Sequence, residues 1–176
     1  MFEIEILTKK DFKDSRGERV LSDICGLGVT NVTKAEYSQL YVVDGDINLS
    51  ETEMIASELL VDKVTESYII RKCCAEYCSE VILKSSDAKE NDRLNSNFSV
   101  IEVWYKKGVT DTVSESVVKA VEDLGIVKEI KVKTGYKYYL YGKISRTILL
   151  NTIATKLLAN TLIQECKVHC LADKKA

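Results

Sequence analysis

The 176-residue chain has no proline and a single histidine, His169. Without proline, no turn or helix start is fixed by a pyrrolidine ring. With one histidine, the only triad to consider is Cys166, His169 and a distant acid. The neighbours of His169 make no nucleophile–base pair, so an edge-strand histidine near the terminus accounts for it better. No Gly-x-Gly-x-x-Gly or phosphate-loop pattern occurs, which excludes a nucleotide site of the usual form. No apolar stretch approaches the roughly 20 residues needed to span a bilayer. Met1-Phe2-Glu3 opens a structured pattern rather than a signal peptide, so the chain is expected to be cytoplasmic. The formal charge of −2 gives no electrostatic reason to expect nucleic acid or a membrane surface as partner.

Six cysteines are present. Cys73 and Cys74 are adjacent, which suits bridges poorly, and free thiols in a reducing compartment are the expectation. Cys166-x-x-His169-Cys170 with Cys73, Cys74 and Cys78 makes a weak zinc pattern. These residues end different segments and no CxxC pair exists, so no metal site is expected. No catalytic residue is expected either.

What the chain does have is an internal copy. Residues Ile4–Ile47 recur at Ile101–Ile144 with an offset of 97, keeping Lys9/Lys106, Lys10/Lys107, Asp14/Asp111, Glu18/Glu115, Gly28/Gly125, Tyr41/Tyr138 and Gly45/Gly142. After one inserted residue the offset becomes 98, aligning Ile55-Ala56-Ser57-Glu58-Leu59-Leu60 with Ile153-Ala154-Thr155-Lys156-Leu157-Leu158. A duplicated unit of this size reads as a small domain, and two in one chain form a covalent version of a homodimer. Domains of roughly 75 residues have thin cores, so each half is expected to lean on the other.

Each copy reads the same way. Phe2–Thr8 and Val100–Tyr105 are strands by their period of two. Ser15-x-x-Glu18 and Thr112-x-x-Glu115 match capping boxes. The helices that follow bury Val20, Leu21, Ile24 and Leu27, and Val117, Val118, Val121 and Leu124. Gly28 and Gly125 end them. Two strands then follow, Val29–Glu36 and Gln39–Val43, copied as Val127–Lys133 and Lys137–Tyr141. Tyr37-Ser38 and Thr134-Gly135 join them as hairpin turns. A second helix carries Ile55, Leu59 and Leu60, with Ser50-x-x-Glu53 as its capping box; strands Val64–Ile70 and Leu162–His169 close the copies. The plan is α+β: two βαββαβ ferredoxin-like units with antiparallel sheets, packed as a pseudo-twofold dimer. The first unit spans 1–84 with a C-terminal extension, the polar stretch 85–97 is a linker, and the second unit spans 98–176.

Lys128, Lys131, Lys133, Lys137 and Lys143 form a basic run that fits a solvated sheet edge, with an acidic partner or phosphate as the functional reading. Tyr136, Tyr138, Tyr139 and Tyr141 gather in one hairpin beside Trp104 and Tyr105. Sheet packing and an amphipathic interface account for them equally well.

Both copies resemble the PurS family, the small subunit of phosphoribosylformylglycinamidine synthase. The resemblance rests on Lys-Lys-Gly-Val-Thr-Asp (106–111), Asp-Leu-Gly-Ile (123–126), Lys-Thr-Gly-Tyr-Lys-Tyr-Tyr-Leu-Tyr-Gly (133–142) and Lys-Leu-Leu-Ala-Asn-Thr-Leu-Ile-Gln (156–164). The first copy carries weaker versions at 9–14, 26–29 and 58–65. The family's Asp-Pro-x-Gly is reduced to Asp14-Ser15-Arg16-Gly17 in the first copy and to Asp111 alone in the second. The resemblance implies a bridging subunit that does no chemistry itself. It would join a glutaminase to an ATP-dependent synthase and shelter ammonia passing between them, in the amidation of formylglycinamide ribonucleotide. No cofactor is then expected in this chain; ATP, magnesium and glutamine are used by the partner subunits. The expected contact residues are Lys107, Asp111, Thr134, Gly135, Tyr136 and Lys137. Further homo-oligomerisation, and whether the chain is a separate subunit or the amino-terminal part of a longer synthase, stay open. The alternative is a tandem regulatory module holding an amino acid or small metabolite between paired units, though only Gly108 offers the glycine-bearing loop that such sites use.

Overall fold

The computed structural model describes residues 1–74, 77–85, 97–126 and 128–170. Each half of the sequence lays down the same series of elements. The first half forms β1 (Phe2–Thr8), α1 (Ser15–Gly26), β2 (Val32–Gly45), α2 (Leu49–Met54, continued as a π-helix over Ile55–Leu60) and β3 (Glu66–Cys74), with β4 (Tyr77–Lys84) added. The second half forms β5 (Phe98–Tyr105), α3 (Thr112–Asp123), β6 (Ile130–Gly142), α4 (Arg146–Ile148, continued as a π-helix over Leu149–Leu158) and β7 (Gln164–Cys170). The strands hydrogen-bond in the order β4-β3-β1-β2-β6-β5-β7 as an antiparallel sheet. The fold is therefore α+β. In the register Ile4 faces Ile70, and Ile101 lies between Tyr138 and Val168.

The expected hairpins at Tyr37-Ser38 and Thr134-Gly135 are not turns. β2 and β6 run straight through them as single strands. Ser38 and Thr134 are buried, and Gly135 pairs with Trp104 of β5. A Cβ on Gly135 would lie 2.6 Å from Trp104 Cε3 and 2.8 Å from the Val103 carbonyl oxygen. The glycine marks a close approach of side chain and backbone inside a strand rather than a reversal.

Helix starts also fall one or two residues earlier than expected. The N-caps of α1 and α3 are Asp14 and Asp111, not Ser15 and Thr112. The capping box of α2 is Asn48 with Glu51 rather than Ser50 with Glu53. Gly28 and Gly125, with φ of 80° and 84°, follow the last turns of α1 and α3 as the left-handed terminators that glycine supplies without penalty. The inserted residue that shifts the sequence offset falls inside α4. The N-caps Asn48 and Ser145 are 97 apart, whereas the terminal residues Val61 and Ala159 are 98 apart. The π-helical stretch grows from 6 to 10 residues, so the wider turns absorb the extra residue.

Packing divides the chain into two compact units that each draw on both halves of the sequence. One holds Met1–Phe12, Gln39–Lys89 and Thr110–Thr134. Its core joins Ile4, Ile6, Ile55 and Ile70 to Val117 and Val121 of α3, a helix from the second half. On another face Glu3 and Glu5 are buried, and Arg71 Nη1 lies 3.1 Å and 2.6 Å from their carboxylates. The other unit holds Lys13–Ser38, Glu90–Val109 and Gly135–Ala176. Its core joins Ile101, Val103, Leu140, Leu149 and Ile153 to Ile24 of α1, a helix from the first half. The copies thus exchange their first helices. An amphipathic stripe demands a covering sheet but does not specify which one.

Cys25 and Cys166 are free thiols. Cys73 is disulfide-bonded, contrary to the expectation that all six cysteines are free. The adjacency of Cys73 and Cys74 gave no hint of it; in the backbone register of β3 with β4, Cys73 stands opposite Cys78. Cys170 lies at the end of β7, and no helix of the described residues is long and apolar enough to cross a membrane.

Candidate functional site

Asp111 does two jobs. Its Oδ1 accepts from Ser114 N at 3.0 Å, capping α3, while its Oδ2 accepts from Thr134 N at 3.0 Å. The Thr134 hydroxyl also donates to the carboxylate, 2.8 Å from Oδ2. One aspartate therefore pins the start of a helix to the middle of a strand. Asp14 repeats the device: Gly17 N donates to Oδ1 at 2.8 Å and Tyr37 N to Oδ2 at 2.7 Å. Here the copy supplies Tyr37 where the other has Thr134, so no side-chain hydroxyl joins the carboxylate.

Of the expected contact residues, Asp111 and Thr134 are brought together in one unit. In the other, Gly135 seats Trp104, whose indole N–H donates to Glu102 at 3.2 Å. Lys137 is buried, with its ammonium 3.3 Å from Glu102. Tyr136 is half-buried and points to the opposite face of β6 from Lys137. Lys107 is exposed in the loop after β5.

Tyr136 belongs to a groove that the sequence reading did not identify. α1 lines one wall with Arg16, Arg19, Val20 and Asp23; Tyr37 of β2 and Tyr136 and Tyr138 of β6 line the other, enclosing about 320 Å³. The Tyr37 ring sits 5.9 Å from that of Tyr136 and 5.5 Å from that of Tyr138, the latter edge-on. Arg16 lies 4.8 Å over the Tyr37 ring and donates to its hydroxyl oxygen at 2.7 Å. Burial raises the pKa of Tyr37 above the ordinary tyrosine value, outweighing the opposing charge of Arg16. Burial likewise pushes Tyr138 up to about 12. Both phenols stay protonated at neutral pH and present hydrogen-bond donors rather than bases. The Cys166 thiol is also raised by burial, which disfavours a nucleophilic thiolate. Among the described residues, no three or more His, Cys, Asp and Glu side chains gather to hold a metal ion. What these residues can offer is recognition through guanidinium, phenol and carboxylate. The signal in the sequence was the pair Arg16 and Arg19, three apart on a helix whose copy has Val113 and Ser116 there.

Residues 99–172 match the profile of the PurS family, described as phosphoribosylformylglycinamidine (FGAM) synthase. No curated protein matches the chain. The matched stretch runs from β5 through α3, β6 and α4 to β7 and has PurS-like character.

Proposed function

We propose that the chain is a non-catalytic bridging component of phosphoribosylformylglycinamidine synthase, acting in purine biosynthesis. The observation that carries this reading is the family match over residues 99–172. It is supported by the internal copy, which makes the first half a second PurS-like repeat and the chain a covalent counterpart of a homodimer. Its partners are a glutaminase and a synthase subunit, which bring glutamine, ATP and magnesium. The chain contributes surfaces and shelters ammonia on its way between them; a bridging role needs surfaces rather than reactive groups.

Within this reading, Lys107 and Tyr136 meet a partner directly. Asp111, Thr134, Gly135 and Lys137 act behind them by fixing the course of β6. The test is to mix the chain with its glutaminase and synthase partners and follow co-elution and glutamine-dependent amidation. A ternary complex and a gain in glutamine-dependent turnover are expected. Equal turnover with and without the chain refutes the proposal.

A further inference from the structure

The bridging role engages Tyr136 on one wall of the groove but leaves the arginine wall along α1 unused. Arg16 and Arg19 lie one turn apart on the same helix face, and neither forms an ion pair with a carboxylate among the described residues. Like charges at this spacing repel, and an oxyanion placed between them relieves the repulsion. Guanidinium forks also match the geometry of phosphate and carboxylate oxygens. The facing wall of Tyr37, Tyr136 and Tyr138 is aromatic, with the Tyr37 ring inclined at 33° to Tyr136 and 61° to Tyr138, and it carries phenolic O–H donors; a planar ring can pack against it face to edge. Asp23, at the far end of the same wall as the arginines, is an acceptor for an N–H on such a ring. About 320 Å³ falls at the lower end of small-molecule sites, roughly 300–1,000 Å³, and fits one small ligand.

We infer that this groove binds a small planar molecule bearing a phosphate or carboxylate, with the oxyanion between Arg16 and Arg19 and the ring on the tyrosine wall. The residues 97 positions on from Arg16, Arg19, Asp23 and Tyr37 are Val113, Ser116, Ala120 and Thr134. The copy therefore lacks every charged group of the site, and each chain takes one ligand, not two.

The test titrates the isolated full chain by calorimetry with adenosine monophosphate, adenosine, 4-aminobenzoate and polyglutamate. Adenosine monophosphate and 4-aminobenzoate offer the phosphate and carboxylate versions of the chemistry, each with an N–H donor for Asp23. Saturable binding of either, at one equivalent per chain, is expected. Adenosine, lacking the oxyanion, should bind at least roughly tenfold more weakly than the monophosphate. Arg19→Gln, an exposed change with no partner to lose, should weaken the bound probe by about fivefold or more without moving Tm, while Lys107→Gln leaves it unchanged. The inference is overturned by no saturable binding of either small probe, by equal binding of adenosine, by an unaffected Arg19→Gln chain, or by polyglutamate binding more tightly than both. Because no partner protein is present, failure here leaves the reconstitution test of the bridging role untouched.

Discussion

Replacing Asp111 by alanine tests the claim that one carboxylate holds helix to strand. The change removes the N-cap of α3, which costs about 1 kcal/mol. It also strips the amide and hydroxyl of Thr134 of their acceptor, and Thr134 is only 4% exposed. Orphaning buried donors adds about 1–3 kcal/mol, so the total expected loss is about 2–4 kcal/mol. Asp14→Ala loses an equivalent cap but orphans only the Tyr37 amide, at a half-buried position, and should cost about 1–2 kcal/mol. Urea unfolding followed by circular dichroism and by the fluorescence of Trp104, the single tryptophan, reads both variants at unchanged slope. Thr134→Val supplies the control: it deletes the hydroxyl donor, keeps the amide, and should couple to Asp111→Ala in a double-mutant cycle. Equal losses for Asp111→Ala and Asp14→Ala, or additive behaviour with Thr134→Val, would refute the reasoning.

Two further outcomes follow from the same geometry. Gly135→Ala should destabilise by about 1–3 kcal/mol and shift Trp104 emission, because the Val103 backbone oxygen cannot yield to the new methyl; Gly26→Ala, with nothing within 4 Å of the added carbon, should not destabilise. Acid should weaken the fold through Glu51, whose pKa is lowered below 4.5, first by the hydrogen bond from Lys128 and then by that from Asn48 N. Since the folded value is the lower one, this contribution is present above pH 4.5 and lost as pH falls through the lowered value, so Glu51→Gln should flatten that part of a stability–pH profile.

The residues that announce local structure were legible. The period of β1, most of the stripes of α1 and α3, and the glycines that end those helices read directly from the chain. Leu27, expected to be buried on the stripe of α1, is 44% exposed because it caps the end of that helix. Turn chemistry misled at Thr134-Gly135, since a glycine that admits a tryptophan looks the same in sequence as one that reverses a strand. Ser15 and Thr112 complete the capping-box pattern with Glu18 and Glu115, yet Asp14 and Asp111 are the caps. What decided between them was a strand amide more than 20 residues away, at Tyr37 and Thr134. The helix exchange was hidden for a different reason: the hydrophobic stripe of α1 fits either sheet, and only the assembled cores show that it covers the strands of the other copy. The groove was half visible, as an arginine pair without a counterpart in the repeat. Its tyrosine wall required β2 and β6 to be continuous and adjacent.

The central claim, that this chain bridges two catalytic subunits and protects ammonia between them, is tested most directly by measuring amidation with two nitrogen sources. Glutaminase and synthase partners are assayed with glutamine and, separately, with free ammonia, with and without the chain. The account predicts that the chain raises the glutamine-dependent rate and leaves the ammonia-dependent rate of the synthase unchanged. A glutamine-dependent rate that does not depend on the chain contradicts it.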